Sequence, residues 1–409
     1  MNRATTVVIV GAGAAGITVA ASLRRKQPAL LVTLIDPATT HYYQPAFTLV
    51  GAGEFDFART QRAQSSLIPP GAEWLQDRVT GFLPEQQTVT LASGPQVHYD
   101  YLVLCPGIQL DWDRIAGLRE SLGRNGVCSN YSPEHVTYTW DCLRNFGGGT
   151  ALFTQPPAPI KCAGAPQKIA YLAADYWRGR GVSAHARLHF LSAAGALFSV
   201  PYFSKALEKV AARHGIEIHL QHNLMAVNGS KRIATFECTG KDGAKTRLEM
   251  EFEMLHATPP QSAPDFIKQS PFAGAGGWVD VNPHTLQHVK YPNVFSLGDA
   301  SSAPTSKTAA AVRKQAPVVV NNLLGLMAGR QPSPAYDGYT SCPLTTSLNT
   351  VMLAEFGYDG KVTPTFPLQP DRERRVWWLL KKYGLPPLYW DYMLKGYDWD
   401  IPHRPYPIS

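Results

Sequence analysis

An α/β fold of tandem Rossmann-like dinucleotide-binding domains, the first intact and the second degenerate, with a C-terminal membrane-associating region, follows from three features of the sequence. Near the start, an apolar strand runs into glycines at GxGxxG spacing and then into an alanine-rich helix. Residues 293–312 hold a second strand–turn–helix, built around a Gly-Asp pair. Between the two lies another αβ unit, in which prolines and a cysteine stand where glycines are needed.

The first strand, Thr5 to Val10, ends in Gly11-Ala12-Gly13-Ala14-Ala15-Gly16. Gly11 permits the tight turn, Gly13 lets a pyrophosphate approach the backbone, and Gly16 lets helix and strand pack closely. The helix start offers unpaired N–H groups to the phosphates. The next apolar strand, from Leu30, ends at Asp36, placed to accept from a ribose hydroxyl. Far along the chain, Asn293 to Leu297 leads into Gly298-Asp299, and Thr305-Ser306-Lys307-Thr308 opens a helix. In flavoproteins with two dinucleotide domains, such a Gly-Asp carries the flavin ribityl chain and the helix points at the isoalloxazine. The fingerprint is therefore read as an FAD site.

A second αβ unit begins near Gly147, with strands expected at 151–154, 187–192 and 216–220 and a hairpin-like stretch over 233–255. A nicotinamide site needs another glycine loop after Thr154. The sequence gives Gln155-Pro-Pro-Ala-Pro-Ile-Lys161-Cys162-Ala-Gly-Ala-Pro-Gln-Lys168 instead. Prolines remove N–H donors where a pyrophosphate needs them and stiffen the chain. Electrons are thus expected from a donor other than NADH. The expected domains are 1–147 (FAD, first part), 148–277 (degenerate unit), 278–331 (FAD, return segment) and 332–409 (C-terminal region).

The 409 residues suffice for two or three domains with sizeable cores, and 44% hydrophobic with 17% charged content is that of a globular chain. Net charge is +7. No basic run is interleaved with a recognition motif, so nucleic acid is not an expected partner; an anionic membrane surface makes better use of the excess. No stretch reaches the roughly 18 to 20 apolar residues of a membrane span, and Met1-Asn-Arg-Ala leads straight into the first strand without room for a cleavable signal. The 12 histidines show no ligand spacing, and no metal is expected.

Six cysteines without regular spacing do not make a secreted disulfide framework. Cys162 follows Lys161 and precedes a predicted helix over 166–177; a cation and a helix N-terminus both favour a reactive thiolate. Cys342 lies in a turn-rich loop, too distant for a CxxC-type dithiol. Burial as a small hydrophobe is the plain alternative for either residue. Cys105, Cys142 and Cys238 are read as structural.

Longer motifs carry a resemblance. Thr39-Thr-His41-Tyr-Tyr-Gln44-Pro-Ala-Phe-Thr-Leu-Val-Gly51, Lys161-Cys162-Ala-Gly-Ala-Pro-Gln-Lys168, Pro304-Thr-Ser-Lys307-Thr-Ala and Asp337-Gly-Tyr-Thr-Ser-Cys342-Pro-Leu resemble the sulfide:quinone oxidoreductases over nearly the whole chain, most closely the branch with the mitochondrial animal enzymes. The resemblance implies that Cys162 and Cys342 form the redox centre on one flavin face, holding sulfide sulfur as a persulfide or a bridge. It implies FAD contacts at Gly13, Ala14, Asp36, Gln44, Val79, Asp299, Lys307 and Thr308. Some bacterial members use a third cysteine, which makes Cys128 an auxiliary candidate. Implied partners are hydrogen sulfide, ubiquinone or menaquinone, and a small sulfur acceptor such as glutathione, sulfite or a second sulfide.

From Pro332 the chain is aromatic and proline-punctuated. Trp377, Trp378, Trp390 and Trp399 fall in this tail, and basic residues outnumber acidic ones over 371–396. Tryptophan and tyrosine flanked by Lys and Arg suit the headgroup boundary, so short amphipathic helices are expected to lie there without crossing. The chain is then a peripheral protein of an inner or cytoplasmic membrane. A packed subdomain or a homo-oligomer interface is the other reading of the tail. For activity, the other readings are a type II NADH:quinone oxidoreductase, a flavocytochrome-linked sulfide dehydrogenase and a flavin-based sulfide sensor.

Overall fold

The computed structural model describes residues 5–398 and 401–407. Apolar runs build two five-stranded sheets. The first has the order Val294–Ser296, Tyr101–Leu104, Thr6–Val10, Leu31–Ile35, Ala72–Leu75, and every pair is parallel. Parallel strands are covered on both faces and read as continuous apolar runs; Val7, Val8 and Ile9 are all fully buried. Helices Ala14–Lys26 and Ala309–Met327 pack against each other beside this sheet. Because Val294–Ser296 pairs with Tyr101–Leu104, the Gly298-Asp299 turn comes to the carboxyl edge where the glycine fingerprint also lies, which is where open α/β sheets bind ligands.

The second sheet has the order Val127–Cys128, Met254–His256, Gly149–Gln155, Ala186–Ser192, Ile216–Leu220, again all parallel. The stretch read as a hairpin over 233–255 is more than that. Three antiparallel strands, His222–Asn228, Ile233–Thr239 and Lys245–Glu251, form a separate sheet, and Met254–His256 returns to the parallel one. Burial explains the split: Met254, Leu255 and His256 are all enclosed, whereas Lys245–Glu251 is almost wholly exposed.

An antiparallel hairpin, Thr340–Thr345 with Val351–Phe356, packs on helix Ala165–Gly179 and carries Cys342 to the second unit. A helical run from Arg375 to Lys395 follows, passing through α, π and 3-10 geometry. It joins the two cores: Trp377 and Trp378 are buried with the second, Tyr389, Trp390 and Met393 with the first. Gly396, at φ +69°, rests on the fingerprint helix, where a Cβ would stand 2.3 Å from the Ser22 nitrogen. The tryptophans expected at a headgroup boundary therefore point inward; the tail's outward apolar groups include Val376, Leu379 and Tyr383. Trp399 lies outside the described residues. Among the described residues, no helix is long and apolar enough to cross a membrane.

Candidate redox and cofactor site

A cavity of about 680 Å³ opens at the carboxyl edge of the first sheet and runs to the C-terminal helical segment. The three glycines of the fingerprint do different things there. Gly11 has φ +100°, and a Cβ would meet the Cys105 carbonyl oxygen at 2.4 Å. A Cβ on Gly16 would stand 1.8 Å from the Gly11 oxygen, so helix and turn touch. Gly13 alone faces open space, with nothing within 4 Å of an added Cβ, and lines the cavity with Ala14 and Ala15. Asp36 also lines it and accepts from the Ala12 nitrogen (2.6 Å) and the Ala38 nitrogen (2.8 Å). Cys105 packs beneath the turn, and burial pushes its thiol up.

From the return segment, Gly298, Asp299, Lys307 and Thr308 reach the same cavity. The Thr308 hydroxyl caps helix Ala309–Met327, accepting from the Ala311 nitrogen at 3.0 Å. Lys307 is buried; its ammonium donates to the carbonyl oxygens of Asp299 (2.6 Å) and Ser301 (3.1 Å) and lies 3.8 Å from the Trp278 ring centre. Burial lowers its pKa to about 8, opposed by Asp299, whose own carboxyl burial pushes up. Gln44 lines the cavity and accepts from the Lys161 ammonium at 2.6 Å. Val79 is elsewhere: it sits in strand Val79–Leu83, buried in the first core and outside the cavity lining. Asn130 lines the cavity, yet neither its amide nitrogen nor its oxygen has a partner within the protein. Buried polar groups are rarely left so. The open cradle at Gly13, that amide and the acid at Asp36 fit an extended dinucleotide.

Cys162 and Cys342, 180 residues apart, meet with their sulfurs 3.8 Å from each other. They are near enough for side-chain rotation to join them and far enough to hold one sulfur atom between. Cys162 has φ +50°, a left-handed conformation that is costly for a side-chain-bearing residue. It is fixed there by its nitrogen donating to the Lys307 oxygen (2.9 Å) and its oxygen accepting from the Ala165 nitrogen (2.7 Å). Gly164 makes the approach sterically feasible, since a Cβ there would lie 2.9 Å from the Cys342 sulfur.

The expected cation is not the one in contact. Lys161 extends toward Gln44, while Lys168, in the first turn of helix Ala165–Gly179, donates to the Cys162 sulfur at 3.2 Å. Cys162 is held well below the usual thiol value, first by the hydrogen bond with Cys342 and then by the charges of Lys168 and Lys381, against its burial. Cys342 is pushed up by that same hydrogen bond, by burial and by the charge on Cys162. Burial opposes the charge on Lys168, but the two sulfurs outweigh it and raise its pKa. Lys381, buried in the C-terminal segment, is lowered to about 7 by burial and by Lys168. The thiolate therefore belongs on Cys162, which lines the cavity; Cys342 is enclosed behind it.

Cys128 is fully buried in the second sheet, does not line the cavity, and has its thiol pushed up chiefly by burial. Lys168, Lys381 and Asn130 were not singled out in the sequence. Lys168 had a signal, one turn into the helix behind the cysteine; Lys381 had none.

Fold and site together define a class: a two-sheet flavoprotein with two thiols meeting at its cofactor cavity, of the pyridine nucleotide-disulphide oxidoreductase type, whose family pattern matches residues 5–130. The mitochondrial sulfide:quinone oxidoreductase of Mus musculus is 44% identical over 96% of this chain and 86% of its own length. That of Dictyostelium discoideum is 43% identical over 97% and 87%. The solved sulfide:quinone oxidoreductase of Aquifex aeolicus shares the fold, with a TM-score of 0.81 at 20% identity over 96% of this chain and 92% of that one. The chain belongs to the sulfide:quinone oxidoreductase family, and its cofactor is FAD.

Proposed function

We propose that the chain oxidises hydrogen sulfide to sulfane sulfur at Cys162 and Cys342 and reduces a membrane quinone by two electrons. The observation that carries this reading is the meeting of those thiols, with the Lys168 ammonium on the Cys162 sulfur, at the wall of the dinucleotide cavity. In the resting bridge the two sulfurs are joined, directly or through one sulfur atom. Hydrosulfide attacks on the Cys342 side, the bridge bond breaks, Cys342 keeps the added sulfur as a persulfide, and Cys162 leaves as the thiolate that Lys168 stabilises. Such exchange is fastest with a good leaving thiolate. A small nucleophilic acceptor (glutathione, sulfite or a second sulfide) removes the outer sulfur. FAD, when bound, would supply the acceptor for the two electrons released as Cys162 and Cys342 rejoin and the donor to quinone. Gly13, Asp36, Asn130 and the Lys307–Thr308 helix start would hold it.

For quinone, the far wall of the cavity is apolar, with Phe366, Leu380, Leu385, Leu388 and Met393 from the C-terminal segment. On its outer side Val376, Leu379 and Tyr383 are 52%, 45% and 56% exposed, beside the exposed Arg375. This face would rest on an anionic bilayer surface and bring the cavity to the lipid, making the chain a peripheral membrane protein. Changing Val376 and Leu379 to Asp should release the protein from liposomes without loss of FAD.

Anaerobic sulfide titration of the purified yellow protein tests the reading. Sulfide should bleach the flavin, and decylubiquinone should restore its colour. If NADH bleached it and sulfide did not, the proposal would be wrong.

A further inference from the structure

Away from the cavity, the pairing of two strands assembles a group of side chains that the redox chemistry does not use. Strands Ala186–Ser192 and Ile216–Leu220 run parallel, with His189 opposite Glu217 and Leu191 opposite His219. In-register residues on adjacent strands share a face, as do residues two apart on one strand. His189, Glu217 and His219 therefore project from the same side, and none lines the cavity.

The His189 Nδ1 and His219 Nε2 atoms are 3.0 Å apart. Nδ1 lies 3.4 Å from one carboxylate oxygen of Glu217 and Nε2 lies 3.3 Å from the other. Three tetrahedral ligands at about 2.0–2.1 Å from zinc must stand roughly 3.3–3.4 Å from one another. The two nitrogens stand slightly closer than that, each already at that distance from one oxygen of the Glu217 carboxylate, and one ligand atom from each residue falls within 4.8 Å of the other two. We propose that His189, Glu217 and His219 bind a divalent transition-metal ion, zinc foremost, that clips the edge strand Ile216–Leu220 to its neighbour.

Two imidazoles and a carboxylate suit zinc over magnesium or calcium, which take oxygen sets. Ligating imidazoles must be neutral. Arg187, two residues before His189 on the same strand, faces the same side. Arg187 itself is engaged, donating to the Thr150 hydroxyl at 3.1 Å. Glu217, 65% exposed, leaves the ion a route in and a fourth position facing solvent. His222 stands next to the group, its ring centre 5.3 Å from that of His219.

The test is calorimetric titration of chelator-treated, FAD-loaded full-length protein with Zn²⁺, repeated with Co²⁺ by visible absorption. Wild type should bind one equivalent that disappears in His189→Ala and His219→Ala. That equivalent should weaken by at least about tenfold in Glu217→Gln, whose exposed site leaves folding intact. Co²⁺ should give tetrahedral bands without strong thiolate charge transfer, separating this site from the redox cysteines. Zinc should also raise the melting temperature of wild type and not of Glu217→Gln. Absence of zinc uptake, or uptake unchanged in Glu217→Gln and His219→Ala, overturns the proposal.

Discussion

The turn after Val10 and the turn after Gln155 occupy matching places: each ends a central parallel strand and leads into a helix. Both use a left-handed residue, Gly11 at φ +100° and Cys162 at φ +50°. In the first turn Gly13 leaves the N–H groups of the helix start open to the cavity. The second has prolines where those donors would stand, and aims a thiol at its neighbour's cavity. One strand–turn–helix frame thus presents an open glycine to the cavity in one unit and a thiol to the same cavity in the other, which is what the proposed roles of phosphate cradle and reactive sulfur rest on. The Lys161–Lys307 bridge and the Cys162 hydrogen bond to Lys307 tie the second turn to the first unit's return segment.

The strongest way to break this comparison is to remove the sulfur. Cys162→Ser and Cys342→Ser should each slow sulfide-driven flavin reduction by more than about a thousandfold while FAD stays bound, measured by anaerobic stopped flow. Normal rates in both variants would mean that the second turn is only structural. Glycine changes probe the first turn. Gly11→Ala should cost about 1–3 kcal/mol or more, because φ is positive and the Cys105 oxygen blocks the Cβ. Gly13→Val meets no protein atom near its Cβ, so it should fold and lose FAD instead. Flavin content and melting temperature separate these outcomes; equal FAD occupancy in Gly13→Val and wild type would remove the cradle role.

The first turn was legible because its chemistry sits in consecutive residues, and the return segment because Gly298-Asp299 and the Lys307–Thr308 helix start are local as well. The thiol pair was not legible from spacing. It forms only when the hairpin of Cys342 packs on helix Ala165–Gly179, and the sequence pointed to it through resemblance alone. Lys161 was the cation expected at the thiol because it is adjacent in sequence. The left-handed Cys162 and the helix behind it bring Lys168 to the sulfur instead, while Lys161 reaches Gln44. The tail's aromatic content was plain, but not its orientation: composition does not tell Trp377, turned into the second core, from Val376, turned outward. The same holds for His189, Glu217 and His219, which strand register alone brings together.

Lys168 offers a finer probe of the second turn. Lys168→Met removes the charge that stabilises the Cys162 thiolate, so the thiol pKa should rise and the rate profile should move to higher pH. Near neutral pH, sulfide-driven flavin reduction should fall by about tenfold for every pH unit the profile moves, and it should recover in alkali. A lower rate with an unmoved profile would make Lys168 a packing residue.

Lys381 should give the smallest effect, and it carries the C-terminal segment into the comparison. Its ammonium is enclosed near Lys168, and burial with that like charge brings its pKa to about 7, the sulfurs opposing. As pH rises through about 7, the folded protein gives up this proton while the unfolded chain keeps it until about 10.4. Over that window the unfolded state binds more protons, so stability rises with pH. Lys381→Met lacks the proton at every pH. The melting temperature of wild type, taken relative to the variant, should therefore climb between about pH 7 and 10 and stay level below. The variant should also lose the part of the pH dependence of flavin reduction that centres near 7, since Cys162 no longer exchanges a charged neighbour for a neutral one. Parallel melting curves across that range would show that the C-terminal lysine is indifferent to the thiols, and that the second turn tunes its sulfur with Lys168 alone.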